Sequence, residues 1–171
     1  MDDADTITIR ANASGRLWHE DPDRWREICS PEGCPWCQGP GPPADEILAE
    51  TPTCWVTGGI EASLPGYVCV STKAHAVEPY ELDDETMHLF WSDAMTVARG
   101  LAAAVKPVKM NYEIHGNTIP HVHMHLFPRT PQDPYVGFVI HSRAQVTRTP
   151  KQLGEMTAGI RDALASAGRL V

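Results

Sequence analysis

Positive charge is scarce in this sequence. Lysine and arginine number 14 against 22 aspartates and glutamates, for a formal net charge of −8 and a pI near 5.4. Such a balance argues against a nucleic-acid partner, which is held by clustered Lys and Arg on phosphates. A small anion stays compatible, because a few backbone N–H groups and local side chains can hold it. Long apolar runs are missing as well, so no membrane span is expected. The start, Met1-Asp2-Asp3-Ala4-Asp5, is acidic where a signal peptide is basic, and a soluble, cytoplasmic protein is the expectation. The five cysteines are an odd number in a chain without export features, which favours thiols or metal ligands over a disulfide framework. No repeat or low-complexity tract divides the 171 residues, and 42% hydrophobic with 21% charged content fits a single domain spanning residues 1–171.

Histidine, by contrast, is concentrated. Three of the eight fall at alternate positions in Gly116-Asn117-Thr118-Ile119-Pro120-His121-Val122-His123-Met124-His125-Leu126-Phe127-Pro128. With Val122, Met124 and Leu126 between and after them, the segment has the period-2 alternation of a half-buried strand. All three imidazoles then share one face, neighbours roughly 6.6 Å apart at a rise of ~3.3 Å per residue. A helix would scatter the same rings around its axis. One histidine on a strand is an ordinary packed or solvated residue; three side by side serve no structural purpose.

Elsewhere the chain reads as alternating short elements. Thr6 to Ile9 fits a short strand, and Leu17 to Ile28 is polar with two tryptophans and no clear period. Gly39 to Pro43 is too rich in Gly and Pro for regular structure, and Ala44 to Glu50 reads as a short helical turn. Thr53 to Thr57 and Gly66 to Ser71 read as neighbouring antiparallel strands, their Cys54 and Cys69 as buried small hydrophobes. Asp83 starts a helix whose apolar positions are Met87, Phe90, Trp91, Ala94, Ala98, Leu101 and Val105, and Pro107 ends it. Val108, Met110, Tyr112 and Ile114 alternate as a strand leading into the histidines, and another strand is expected around Tyr135 to Ile140. Thr149-Pro150 opens a last helix with Leu153, Met156, Ile160 and Leu164 as its buried face and Gly168 as its stop. The sum is an α+β domain around an antiparallel sheet.

Two chemistries compete for the histidine strand. Alternating imidazoles can ligate a catalytic Zn²⁺ with water in the open position, although that usually calls for an acidic second shell and no Asp or Glu lies within the stretch. Alternatively, one neutral imidazole attacks phosphorus, its neighbours serve the phosphate oxygens and the leaving group, and water resolves the phosphoramidate. The turn Gly116-Asn117-Thr118 suits the second use, since Gly admits an anion close to the backbone and Asn and Thr can hydrogen-bond phosphate. Cys34-Pro-Trp-Cys37 also has rival readings: a zinc knuckle, a redox dithiol, an iron–sulfur ligand set with Cys29, or plain thiols. The absence of a helix after it weighs against the redox dithiol.

Asn111 through Arg129 resembles the signature of the histidine triad (HIT) superfamily of nucleotide hydrolases and transferases. Residues 121–127 match its His-φ-His-φ-His-φ-φ pattern, φ being apolar, at all seven positions. The looser resemblance covers about residues 34–129, leaving residues 1–30 and the helix at 150–168 as extensions. It implies a HIT-like fold: an antiparallel sheet of about five strands, a long central helix, and pairing into a homodimer. It further implies a nucleotide substrate, attacked at the α-phosphate by His123, with His125 on the phosphate and leaving group. Asn111, Gly116, Asn117 and Thr118 match the family's phosphate-side positions, although most members have Gln in place of Asn117. Transferases carry Gln where this chain has His125, so the hydrolase branch is implied, with nucleoside phosphoramidates or dinucleoside polyphosphates as substrates. Where the family has a ribose-binding acid this chain reads Thr57-Gly58-Gly59-Ile60, with Glu61 the nearest substitute. Several relatives hold a structural zinc with residues that match Cys34, Cys37, His75 and His121 here. Two rivals to a HIT-type hydrolase remain: a metal-dependent phosphohydrolase with the triad as ligands, and a nucleotide-binding regulatory module with weak turnover.

Overall fold

A computed structural model of the chain describes residues 17–135, 137, 138, 140 and 146–171. The strand expected at Thr6–Ile9 lies outside them. Five strands form one antiparallel sheet: β1 (Ile47–Glu50), β2 (Cys54–Thr57), β4 (Val68–Thr72), β5 (Lys109–Glu113) and β6 (His123–Arg129). Their spatial order is β1-β2-β4-β6-β5, so the histidine strand β6 lies between two partners, β4 and the edge strand β5. A separate two-stranded ladder joins β3 (Glu61–Ala62) to β7 (Val146–Thr147).

Period-2 alternation sorts β6 onto two faces. Val122, Met124 and Leu126 join the main core with Phe90, Ala94, Val97 and Leu101 of the long helix α3 (Asp84–Val105). Asp83 caps α3 by accepting from the Thr86 amide at 2.8 Å, and the chain leaves it at Lys106, whose φ of 53° is left-handed, just before Pro107. The last helix, α4 (Pro150–Ser166), opens with a reciprocal cap between Thr149 and Gln152 and buries Met156, Ile160 and Leu164. Gly168, at φ +66°, lets the chain turn back so that the Arg169 amide reaches the Leu164 carbonyl at 2.8 Å. Helices α3 and α4 cross at Gly100 and Gly159, where a Cβ on Gly100 would lie 2.5 Å from the Gly159 carbonyl oxygen.

Some sequence expectations need correction. Ala44 to Glu50 is a helical turn only to Glu46, after which Ile47–Glu50 is strand β1, because pairing with β2 overrides a segment with no pattern of its own. Trp91 is 42% exposed while Val97 is fully buried, since the stripe through Phe90, Ala94, Val97 and Leu101 follows the helical period and passes Trp91 by. Tyr135, Gly137 and Phe138 lie in turns and bends with Gly137 at φ +86°; among the described residues the late strand is β7, which pairs with β3. Residues 136 and 139 of the expected strand lie outside the description. Polar Leu17–Ile28 forms two short helices, α1 (Leu17–Glu20) and α2 (Pro22–Ile28), the second capped by Asp21 accepting from the Arg24 amide at 2.9 Å.

Candidate functional site

The face of β6 opposite the core carries His123, His125 and Phe127, while His121 lies two residues before the strand starts. The carbonyl of His121 lies 2.6 Å from Nδ1 of His123. A carbonyl can only accept, so Nδ1 carries the proton and the lone pair of His123 sits on Nε2. Trp36 covers this ring at 5.3 Å between centroids, and His123 is 8% exposed. Burial lowers its pKa below the ordinary 6.5, more strongly than the hydrogen bond to the His121 carbonyl raises it, and His115 lowers it further. The ring is therefore neutral at pH 7 with one unshared pair to offer.

His125 lies 4.9 Å from His123, ring to ring, at nearly a right angle. Its Nδ1 is 2.8 Å from the Tyr67 hydroxyl, and burial followed by the charges of His123 and His115 pushes its pKa down to about 3. Desolvation also raises the pKa of Tyr67, which stays a phenol. Across the sheet, Glu113 of β5 is the direct partner of His125 and binds Nε2 of His115 at 2.9 Å. His115 in turn lies 5.7 Å from His125. No sequence signal marks Tyr67, which is 58 residues from His125; for Glu113 and His115 the alternate spacing at the end of a strand was the available hint.

A second cluster joins the start of this strand. Cys34, Cys37, His75 and His121 present ligand atoms within 4.8 Å of one another, the set expected from the resemblance. Nδ1 of His121 lies 3.5 Å from Cys34 Sγ and 3.6 Å from Cys37 Sγ, and Nδ1 of His75 lies 3.3 Å from Cys37 Sγ. Zn–S near 2.3 Å and Zn–N near 2.1 Å in a tetrahedron put S and N roughly 3.6 Å apart, so these edges fit a zinc ion. Both imidazoles donate their other nitrogen to a carbonyl, His121 to Thr72 at 2.8 Å and His75 to Cys29 at 2.9 Å, which turns Nδ1 towards the sulfurs. Cys29 stays outside the cluster's four ligand atoms, and Cys54 and Cys69 are buried in their strands.

The phosphate-side residues are less uniform. Asn111 pairs with Phe127 and so shares the histidine face, and its side-chain oxygen accepts from Arg129 at 2.8 Å, leaving the amide nitrogen to donate. Gly116 has a φ of +68°, which glycine adopts freely, and Asn117 and Thr118 are exposed on the loop into β6. Glu61 accepts from Thr147 at 2.9 Å within the β3–β7 ladder. The carboxylate packed beside Gly59 belongs to Glu46, which sequence reading passed over: a Cβ on Gly59 would stand 3.3 Å from it.

A family model described as HIT domain matches residues 43–132. No curated protein matches the chain. The fold is similar to that of a histidine triad protein from Bradyrhizobium japonicum, at TM-score 0.62 and 20% identity over 68% of this chain and 88% of that one. A histidine triad protein from Marinobacter aquaeolei VT8 is similar at TM-score 0.60 and 24% identity over 72% of this chain and 91% of that one. A Zn-bound histidine triad family protein from Mycobacterium smegmatis is similar at TM-score 0.53 and 20% identity over 74% and 88%.

Proposed function

This chain belongs to the HIT domain family, and on that premise we propose that it is a nucleotide hydrolase that works through a covalent nucleotidyl-histidine. The observation that carries the reading is the 2.6 Å bond from His123 Nδ1 to the His121 carbonyl, which leaves a neutral Nε2 as nucleophile. Nε2 attacks the α-phosphorus of a nucleoside phosphoramidate or dinucleoside polyphosphate, and the bond to the leaving group breaks. Water then attacks the same phosphorus, and the P–N bond breaks with its electron pair returning to Nε2. When the Tyr67 phenol donates to Nδ1 of His125, Nε2 of His125 carries a proton that can bind a phosphate oxygen. Asn111 and the Gly116-Asn117-Thr118 loop serve the same oxygens.

In this reading Cys34, Cys37, His75 and His121 hold a structural zinc ion, supported by the sulfur–nitrogen edges and by the carbonyls behind both histidines. The ion would cross-link the Cys34–Cys37 segment to the strands. Stoichiometric zinc in purified protein supports this, and its absence removes it. A homodimer belongs to the same reading, supported by the open edge of β5 and the exposed Val108 and Tyr112 beside it. Light scattering giving a two-chain mass is the expected result.

Geometry disfavours the triad as a catalytic metal centre, because His121 turns to the cysteines and His123 Nδ1 to a carbonyl. His123→Ala turning over nucleotide substrates as fast as the native protein would exclude the nucleophile assignment.

A further inference from the structure

Beside His123 and His125 stands a third imidazole from outside the triad. His115 follows β5 into the loop, and its ring stands 5.7 Å from that of His125, which stands 4.9 Å from His123. Glu113 binds Nε2 of His115 at 2.9 Å while sitting directly opposite His125 in the β5–β6 register. The carboxylate side chain is 14% exposed and the imidazole 48%, so the pair joins the buried histidines to solvent. Because Glu113 fixes Nε2–H, Nδ1 is the nitrogen of His115 that can gain and lose a proton.

The proposed chemistry needs such a group. His123 must stay neutral to attack, and its Nδ1 proton is held by a carbonyl. His125 has its Nδ1 engaged by Tyr67 and stands between two other imidazoles, which oppose a positive charge on it. An amine leaving phosphorus must nevertheless take up a proton, and the water that resolves the intermediate must lose one.

We propose that His115, oriented by Glu113, is the leaving-group acid and then the hydrolytic base of this site. The proposal rests on the nucleotidyl-histidine reading. In the first step the P–Nε2 bond to His123 forms, the bond from phosphorus to the leaving group breaks, and its electron pair takes the proton from Nδ1 of His115. In the second step Nδ1 takes a proton from water as the P–O bond forms, and the P–Nε2 electron pair returns to His123. One water is consumed, and both rings end as they began.

The test compares first-turnover rates of native protein, His115→Asn and His123→Ala on two substrates with one nucleotidyl group: adenosine 5′-phosphoramidate and the p-nitrophenyl ester of AMP. The amine needs a proton to leave, whereas p-nitrophenolate leaves without one. In His115→Asn the phosphoramidate rate should fall by roughly a hundredfold or more, the low end of general-acid contributions. The nitrophenyl ester should release its first equivalent at nearly the native rate, which also shows that the variant is folded. A ratio between the substrates unchanged from native, whether both rates fall or neither does, overturns the proposal for His115 alone. Native-like turnover by His123→Ala, or no turnover by the native protein, overturns the nucleotidyl-histidine reading and this proposal with it.

Discussion

At the scale of single residues, the site is a set of imidazoles each given a different hydrogen-bond partner. His121 faces sulfur, His123 faces a carbonyl, His125 faces a phenol and His115 faces a carboxylate. For a lowered histidine pKa the neutral ring is fully present above the ordinary 6.5 and is lost as pH falls through the lowered value. A pH profile of kcat/KM should therefore show an acid limb for His123 with its midpoint below 6.5. Tyr67→Phe removes one buried hydrogen bond, worth about 1 kcal/mol, and should reduce kcat by roughly fivefold with KM little changed, read from steady-state kinetics. Alternation made the triad legible, because period 2 survives in any strand. Tyr67 was not legible, since only β4–β6 pairing brings it to His125.

At the scale of elements, what the sequence made visible was local. Asp83, Thr149-Pro150 and Gly168 announce helix ends because caps bond within a few residues. Strand β1 stayed hidden because its identity comes from β2, and no local pattern marks Gly100 and Gly159, whose close approach exists only because α3 and α4 cross there. Gly100→Ala should cost about 1–3 kcal/mol, since the new Cβ meets the rigid backbone of Gly159 and Ile160. Gly154→Ala, on α4 with nothing within 4 Å, should instead stabilise by about 0.5–1 kcal/mol. Denaturant unfolding of the two variants checks both signs.

Across the whole molecule, the C-terminal turn is tied to the sheet through a buried carboxylate. Asp93 is fully buried and accepts from Arg169 at 2.8 and 2.9 Å, from Thr51 at 2.6 Å and from Thr53 at 2.9 Å. Burial alone would raise its pKa, and these donors more than offset that, holding it below the ordinary 3.8. This stabilisation is present above pH 3.8 and is lost as pH falls through the lowered pKa. Arg169→Gln leaves the charge uncompensated and should cost about 3–5 kcal/mol in denaturant unfolding at pH 7. The partners' sequence separation of 76 explains why no sequence pattern disclosed the pair. The central claim concerns a bond that changes the mass of the whole chain. Rapid acid-free quenching of native protein with adenosine 5′-phosphoramidate, followed by intact-mass and peptide mapping, should find one added adenylate on the peptide bearing His123 and none in His123→Ala. Turnover without that adduct at any quench time, or an adduct that persists in His123→Ala, would contradict the account.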